Sequence, residues 1–286
     1  MKNKKTGIIL VAVFLIGVCV LLYPTLADFW NQKHQTAAIA NMEKILSTMD
    51  EDEFDKIFEE AEKYNKELGE LQFPMLNWRS VEGYDNVLNP MKTGMIGYIT
   101  INRINVELPI YHTTSDSVLG SAVGHIEGTS LPIGGEGTHS ALSAHRGLPS
   151  AKLFTHLDQL EKGDTFVIKV LDRVYTYEVD KISIVNPDDV NELNMVPGED
   201  YCTLVTCTPY GINSHRLLVR GTRIENVRPP LYVTTEAFQI DSLLATPAVA
   251  APILFVLFIV LMVKYRKPTG KKYKVEEIAY EKFEDE

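Results

Sequence analysis

The 286-residue chain has only three cysteines, and they do not suit a disulfide. Cys19 lies within an apolar run at the N-terminus, apart from the other two. On an extended strand, Cys202 and Cys207 are five positions apart, so their side chains point to opposite faces and lie beyond bridging distance. A disulfide is therefore not expected, and the thiols call for another explanation.

Positive charge is outnumbered by negative charge, with 28 Lys and Arg against 38 Asp and Glu and a formal net charge of −10. This balance argues against a nucleic-acid partner. The sequence has no cluster of metal-ligating residues, no phosphate-binding loop, no internal repeat and no low-complexity tract, so neither a metal nor another cofactor is expected. The apolar content of 45% is enough for one sizeable core with accessory segments.

Two long runs have no charged residue at all, residues 7–27 and 242–263. Each is long enough to cross a membrane. Basic residues flank both runs on the side away from the middle of the chain, which predicts cytoplasmic termini and an extracellular segment between two transmembrane helices. The first run also has features of a cleaved signal peptide, and a buried core helix is the alternative for the second.

The pattern between these runs predicts a helical part followed by a β part. The predicted domains are residues 1–27 (basic stub and span), 28–93 (helical stalk and possible lid), 94–225 (β-barrel), 226–241 (linker), 242–263 (second span) and 264–286 (cytoplasmic tail). Helical periodicity over 36–71 is interrupted by an acidic run in which Asp50 or Asp52 suits a helix cap. Short alternating strands after Gly97 predict a mainly β fold, a closed antiparallel barrel, with a short helix over 151–160.

Cys207 is the candidate nucleophile among the cysteines. It ends a strand just before Thr208-Pro209-Tyr210-Gly211, where proline stops the ladder. A side chain at that position can reach solvent and substrate, whereas Cys202 in mid-strand is expected in the core. A catalytic thiol also needs a nearby positive charge or base.

Two arginines and seven histidines compete for the supporting roles. Arg216 begins the returning strand of the same hairpin, so it is expected beside Cys207, where it can donate to a developing oxyanion. Arg220 lies on the same face two pairs further along. His145 ends a strand of small residues before a loop, but spacing alone does not select it from the other six histidines.

The motifs TLVTC and HRLLVRG, with LSAHRGLPSAKLF upstream, resemble those of the sortase transpeptidases. The match extends through YDNVLNP, MIGYITINRINVELPIYHTTS and GHIEGTSLPIGG, covering about residues 84–225. The N-terminal helical stretch and the C-terminal span resemble class C sortases, which polymerise pilus subunits in Gram-positive bacteria. By this resemblance the nucleophile is Cys207, the imidazole is His145 and the guanidinium is Arg216.

The resemblance implies cleavage of an LPXTG-like sorting signal between Thr and Gly, followed by transfer of the acyl group to a pilin lysine. The implied partners are pilin subunits and the cell membrane. Alternatives are a sortase that anchors proteins to peptidoglycan, a membrane-tethered cysteine protease that uses water, and a non-enzymatic β-domain that binds surface proteins with Cys207 buried.

The resemblance also directs attention to the signal-binding groove and to a lid. Signal contacts are expected from Thr206 in TLVTC and from four apolar residues of the loop before the nucleophile strand, namely Val190, Leu193, Met195 and Val196. Class C sortases usually carry an Asp-Pro-aromatic lid triplet, which is absent from LQFPMLNWRSVEGYDNVLNP. Trp78 is the candidate lid aromatic. We expect it to pack on the barrel flank and leave Cys207 open, and the alternative is that it plugs the cleft near Cys207.

Overall fold

The computed structural model describes residues 2–226, 252–256 and 258–260. Its contacts divide the chain into two units, Leu22–Gln239 and the terminal segments Met1–Leu21 with Ile240–Glu286. The predicted tail at 264–286, and the predicted linker from residue 227 onward, lie outside the described residues.

The first helix, α1 (Lys2–Leu46), contains the first apolar run. Its most apolar 18-residue window has a mean hydropathy of 2.1 and none of that window is buried, so its length and composition fit a membrane span. Within the described residues it is the one helix with these properties. Most of the second predicted span lies outside them, although 252–256 and 258–260 are helical and the rings of Phe14 and Phe258 stack with centroids 4.5 Å apart.

The second helix, α2 (Glu51–Gly69), begins at a capping box. The Asp50 side chain accepts a hydrogen bond from the Glu53 backbone N–H at 2.9 Å, and the Glu53 carboxylate accepts one from the Asp50 N–H at 3.2 Å. The box satisfies two N–H groups that the helix leaves unpaired. The prediction of a cap at Asp50 is confirmed, and Asp52 lies in the first turn.

The apolar stripes of α1 and α2 pack against the barrel and join its core. The buried residues of these stripes are Ile39, Met42, Leu46, Phe58, Ala61, Tyr64 and Leu68. The expected packing of the helical stripe on the β-domain is therefore confirmed. The short helices α3 (Pro74–Asn77) and α4 (Asp116–Leu119) lie in connections.

Eight strands close into a barrel in the order β1-β2-β3-β4-β7-β8-β6-β5. They are β1 (Met95–Ile101), β2 (Val106–Tyr111), β3 (Val123–His125), β4 (Thr138–Ser143), β5 (Thr165–Val170), β6 (Arg173–Val185), β7 (Asp200–Thr208) and β8 (His215–Ile224). The predicted closed barrel, mainly β with short helices and an N-terminal helical segment, is confirmed.

Two details of the prediction were wrong. The barrel is not purely antiparallel, because β2 pairs with β3 and β4 pairs with β7 in parallel. The β5–β6 hairpin lies between β4 and β7 in the chain. This long connection allows β7 to run parallel to β4. The predicted helix at 151–160 is only a 3-10 turn, Leu157–Gln159, because Leu153 adopts a left-handed φ of 43° that stops a helix.

The pleat of β7 sorts its residues between two faces. Cys202 and Leu204 belong to the main core, whereas Val205 belongs to a separate apolar cluster with Ala141, Leu193 and Leu218. Side chains alternate along a strand, so Cys207 shares the face of Val205. We call this side of β4, β7 and β8 the outer face.

Candidate active site

Cys207 lies at the last pair but one of the β7–β8 ladder. It is half-buried and pairs with Arg216, and the hairpin turn follows Thr208. Cys202 is fully buried, and burial raises the pKa of its thiol well above the ordinary value. A buried thiol with a raised pKa is a poor nucleophile. Of the two barrel cysteines, Cys207 is the one placed for chemistry.

His145 reaches the same end of the outer face from the neighbouring strand. The parallel register pairs Ser143 with Val205, so His145 and Cys207 each lie two residues beyond that pair. Two bonds extend the contact past the end of β4: the Ala144 N–H donates to the Val205 carbonyl at 3.2 Å, and the Thr206 hydroxyl donates to the Ala144 carbonyl at 2.8 Å. His145 is itself half-buried.

The other histidines are placed elsewhere. His112, His125 and His139 are buried, and burial lowers the pKa of each imidazole. Three other histidines form hydrogen bonds with residues close to them in sequence: His34 with the Trp30 carbonyl, His156 with Gln159 and His215 with Ser214. His145 is therefore the histidine that the fold places beside the nucleophile strand end.

Arg216 has no carboxylate partner within the described part of the chain. Its guanidinium donates only to backbone carbonyls of the hairpin, to Asn213 at 3.4 Å and to His215 at 3.2 Å. Arg220 differs, because it forms an ion pair with Asp180 and its guanidinium lies 4.1 Å from the centroid of the Tyr201 ring. Arg216 is thus the arginine with donors to spare for a substrate.

The strand registers arrange the outer face in four rows. The row at the hairpin end contains His145, Cys207 and Arg216. The next rows along the strands are Ser143-Val205-Leu218, Ala141-Thr203-Arg220 and His139-Tyr201-Thr222. The first row thus places a basic side chain on each side of the Cys207 thiol. The row next to it is mainly apolar, through Val205 and Leu218, and can receive an aliphatic side chain.

The loop between β6 and β7, residues 186–199, covers part of these rows. Leu193 is buried in the apolar cluster with Val205, while Val190 and Val196 are exposed at 38% and 42%. Met195 lies apart from them, because a Cβ built on Gly69 at the end of α2 would be 3.7 Å from its sulfur. The structure therefore brings Leu193 to the outer face, leaves the two valines at the surface and directs Met195 to α2.

Thr206 lies on the opposite face from the nucleophile. Its side chain is 1% exposed and its hydroxyl is engaged by the Ala144 carbonyl. This contact holds the backbone just before His145 against β7. The Thr206 hydroxyl is therefore buried and already bonded, and it does not face the row of Cys207.

The segment that reaches the outer face from the N-terminal side is centred on Met75. Met75 packs against the apolar cluster of Ala141, Leu193, Val205 and Leu218. Its backbone lies directly on Gly128, where a Cβ would be 2.6 Å from the Met75 Cα, so only glycine permits this approach. We call residues 73–77 the lid segment.

Trp78 lies just beyond the lid segment and does not join this cluster. Its ring packs edge-on against Tyr84, with centroids 5.2 Å apart, and the Arg79 guanidinium lies 4.5 Å from its centroid. Trp78 contacts the main core from outside. The structure thus places Trp78 on the barrel flank.

Comparison with known proteins assigns the fold. The model of the sortase domain matches residues 99–224. Sortase C1 from Streptococcus agalactiae superposes with a TM-score of 0.61 and 47% sequence identity, over 67% of this chain and 100% of that one. The chain belongs to the sortase family. Sortases are cysteine transpeptidases, so it is an enzyme of that class.

Other sortases show the same likeness. Clostridium perfringens sortase C, solved with the C-terminal cell wall sorting motif, has a TM-score of 0.59 and 41% identity, over 66% of this chain and 99% of that one. Sortase A of Bacillus anthracis is 26% identical over 221 residues, 77% of this chain and 95% of its own length. The resemblance to class C sortases is confirmed, since the structural neighbours carry that name.

Met75 is the residue of this sortase that sequence reasoning missed. The expected lid signal was an Asp-Pro-aromatic triplet, and in its absence Trp78 was the aromatic candidate. Phe73-Pro74-Met75 keeps the proline of that triplet and replaces its aromatic by methionine. The retained proline was the available signal, and a flexible thioether fills an irregular apolar gap as an aromatic ring would.

Proposed function

We propose that this sortase uses Cys207 as nucleophile, His145 as general acid and base, and Arg216 as oxyanion and substrate-backbone donor. The observation that carries the proposal is the row formed by these three residues. On one side of the thiol lies a guanidinium with no carboxylate partner among the described residues, and on the other lies the strand end that carries the imidazole. A positive neighbour favours the thiolate that must attack.

In the first step the Cys207 sulfur attacks the Thr carbonyl of an LPXTG-like signal. A C–S bond forms, the Thr–Gly C–N bond breaks, and His145 gives its proton to the departing amine. Arg216 donates to the oxyanion that develops on the carbonyl oxygen. The product of this step is a thioacyl-enzyme.

In the second step an amine resolves the thioacyl-enzyme. His145 takes a proton from the incoming amine, the new C–N bond forms, and the C–S bond breaks to return the thiolate. We propose that the amine belongs to a pilin lysine, so that the product is a chain of pilus subunits. Likeness to several class C sortases supports this assignment, and the S. agalactiae sortase C1 of pilus island 1 is 41% identical.

The signal is proposed to lie along the outer face from the row of Cys207 to the apolar row beside it. Leu193 and Val205 would contact its Leu-Pro part, with Val190 and Val196 of the same loop at the rim. Thr206 would act from behind by holding the strand end that carries His145. Burial of an aliphatic side chain between Leu193 and Val205 would contribute roughly 1.5–3 kcal/mol to binding.

The membrane arrangement is part of the same proposal. Helix α1 would anchor the catalytic domain at the outer surface of the cell membrane, with both termini in the cytoplasm. The apolar run within α1, the basic residues that precede this run and those that follow the second apolar run support this orientation. An anchored enzyme would meet pilin subunits where they emerge from the membrane.

Mass spectrometry of the full-length protein in detergent, incubated with a sorting-signal peptide, tests the chemistry. Wild type should form a thioacyl adduct on Cys207, and adding a lysine peptide should convert it to the amide product. Cys207→Ala should form neither, while Cys202→Ala, which alters only the core, should form both. Retained adduct in Cys207→Ala would overturn the assignment, and exclusive release of the free acid would make the protein a protease.

A second acceptor decides between the two sortase functions. The same thioacyl-enzyme is offered equal amounts of a pilin-type lysine peptide and of a peptidoglycan-type peptide amine. The proposal expects the lysine product to dominate. A preference for the peptidoglycan amine would instead favour cell-wall anchoring.

A further inference from the structure

The residue after His145 is an arginine whose charge is almost wholly buried. The side chain of Arg146 is 8% exposed and forms an ion pair with Asp158. Its Nε atom is buried without a partner among the described residues. Burying a guanidinium costs free energy that its contacts only partly offset, so a hydrophobic residue would serve stability as well. The contacts of Arg146 therefore need a further reason.

Those contacts join the two backbone segments that carry the catalytic pair. The Arg146 Nη1 donates to the Thr208 hydroxyl at 3.3 Å. Arg146 follows His145 in the chain, and Thr208 follows Cys207. One side chain thus ties the residue beside the imidazole to the residue beside the thiol.

The β7–β8 hairpin adds a second clamp on the same segment. The Tyr210 ring lies over the Arg146 guanidinium, 5.9 Å from its carbon to the ring centroid. A Cβ built on Gly147 would lie 3.0 Å from the Tyr210 ring, and Gly147 has a left-handed φ of 77°. The Tyr210 ring therefore packs directly on the backbone of Gly147. Glycine adopts the left-handed φ without strain, and its lack of a Cβ leaves room for the ring.

The remaining bonds of the segment fix it from behind. The His145 carbonyl accepts from the Phe154 N–H at 3.1 Å, and the Gly147 N–H donates to the Thr155 hydroxyl at 3.1 Å. Asp158 lies in the 3-10 turn that follows. The Arg146 guanidinium is thus held between two elements, by its ion pair with Asp158 in the 3-10 turn and by its hydrogen bond to the Thr208 hydroxyl on β7.

We propose that Arg146 is a positioning residue that sets the distance between the His145 imidazole and the Cys207 thiol through Thr208. It acts without touching the substrate, so its loss should impair proton transfer and leave signal binding intact. A misplacement of about 1 Å in such a pair is expected to slow the reaction on the order of 10²-fold. This inference rests on the proposed roles of His145 and Cys207.

Steady-state transfer by the full-length protein tests it with three single substitutions and one double variant. Arg146→Gln should lower kcat by about 10- to 100-fold and leave KM for the signal peptide within about twofold. Thr208→Val removes only the acceptor and should reproduce much of that loss, and combining the two changes should add little because both break one contact. Arg146→Lys keeps a positive charge that can pair with Asp158, but its single ammonium group cannot reach Asp158 and the Thr208 hydroxyl together as the guanidinium does. It should therefore restore stability more than kcat.

The pH profile of Cys207 alkylation separates positioning from mere folding. In Arg146→Gln the pH profile of alkylation should change, because the wild-type distance between the His145 imidazole and the Cys207 thiol is no longer maintained. Arg103→Gln, which removes an exposed arginine paired with Asp164 at 3.8 Å, is the matched control and should leave kcat and the profile unchanged. An unchanged kcat in Arg146→Gln, or a loss that follows unfolding with an unchanged profile, would overturn the inference. If Cys207→Ala is inactive and Arg146→Gln is fully active, only the role of Arg146 fails.

Discussion

The choice between two arginines illustrates how contacts decide function at the scale of single residues. Arg216 and Arg220 lie on the same face of β8, opposite Cys207 and Thr203. Asp180 and the Tyr201 ring already engage Arg220, and hydrogen bonding to Asp180 raises its pKa further. A guanidinium held by a carboxylate has fewer donors left for a substrate oxygen. Among the described residues, Arg216 bonds only to the backbone carbonyls of Asn213 and His215, which can be exchanged for substrate.

Arg216→Ala should therefore lower kcat/KM for transfer by roughly 10²- to 10³-fold, as removal of an oxyanion donor does. Arg220→Ala should cost less than tenfold in activity, and its main effect should be reduced stability because Asp180 is left unpaired. Transfer kinetics and thermal unfolding, measured side by side, check both. Equal losses of activity in the two variants would show that the substrate engages both arginines.

At the scale of elements, the lid segment occupies the apolar row in which we propose that the signal binds. Met75 occupies the cluster of Leu193, Val205 and Leu218 that we assign to the Leu-Pro part of the signal. Gly128 allows its backbone to approach this closely. Phe73 and Leu76 on either side are exposed, so the segment is held mainly through Met75. In the proposed binding mode, the signal has to displace this segment.

Met75→Ala should consequently lower KM for the signal peptide by about fivefold to tenfold, because truncation removes roughly 1 kcal/mol of burial that opposes binding. Trp78→Ala, the matched change on the barrel flank, should raise the rate of Cys207 alkylation by less than tenfold, equivalent to less than about 1.4 kcal/mol of protection. Peptide kinetics and alkylation rates test the pair. A KM that rises in Met75→Ala would mean that Met75 contacts the signal instead of competing with it.

The elements also show which parts of the site the sequence could predict. The pairing of Cys207 with Arg216 follows from a two-residue period and a short turn, which are local properties. His145 joins them through the parallel pairing of β4 with β7, across a crossover of more than fifty residues, so spacing could not select it and the motif resemblance did. For Met75 the proline before it was a local signal, but its contact with the apolar cluster of Leu193 and Val205 depends on tertiary packing, which the sequence pattern does not give.

At the scale of the whole molecule, three buried histidines make stability depend on pH. His125 is fully buried, and its imidazole bonds to Tyr84 at 2.9 Å and to the Ser130 carbonyl at 2.9 Å. Burial lowers its pKa from 6.5 to about 4. Burial lowers the pKa of His112 and His139 in the same direction.

The sign of the effect follows from proton linkage. Between pH 6.5 and about 4 the unfolded chain binds a proton at His125 more readily than the folded protein does. Stability from this group is therefore present above pH 6.5 and is lost progressively as the pH falls toward 4. The half-buried Asp200 carboxyl has a pKa raised by desolvation and opposes this trend at the acidic end, because the folded protein then takes up a proton more readily.

Moving from pH 7 to pH 5 should cost the folded state about 2 kcal/mol through His125 alone, about 4–8 °C in Tm for a domain of this size. His125→Gln retains a donor and an acceptor but cannot titrate, so it should be less stable at pH 7 and show a smaller fall in Tm. His215→Gln changes an exposed histidine, so its Tm should fall between pH 7 and pH 5 by as much as that of wild type. Thermal unfolding of the full-length protein in detergent at the two pH values measures all three. If His125→Gln lost as much Tm as wild type, the acid sensitivity would have to come from His112, His139 or groups outside the barrel core.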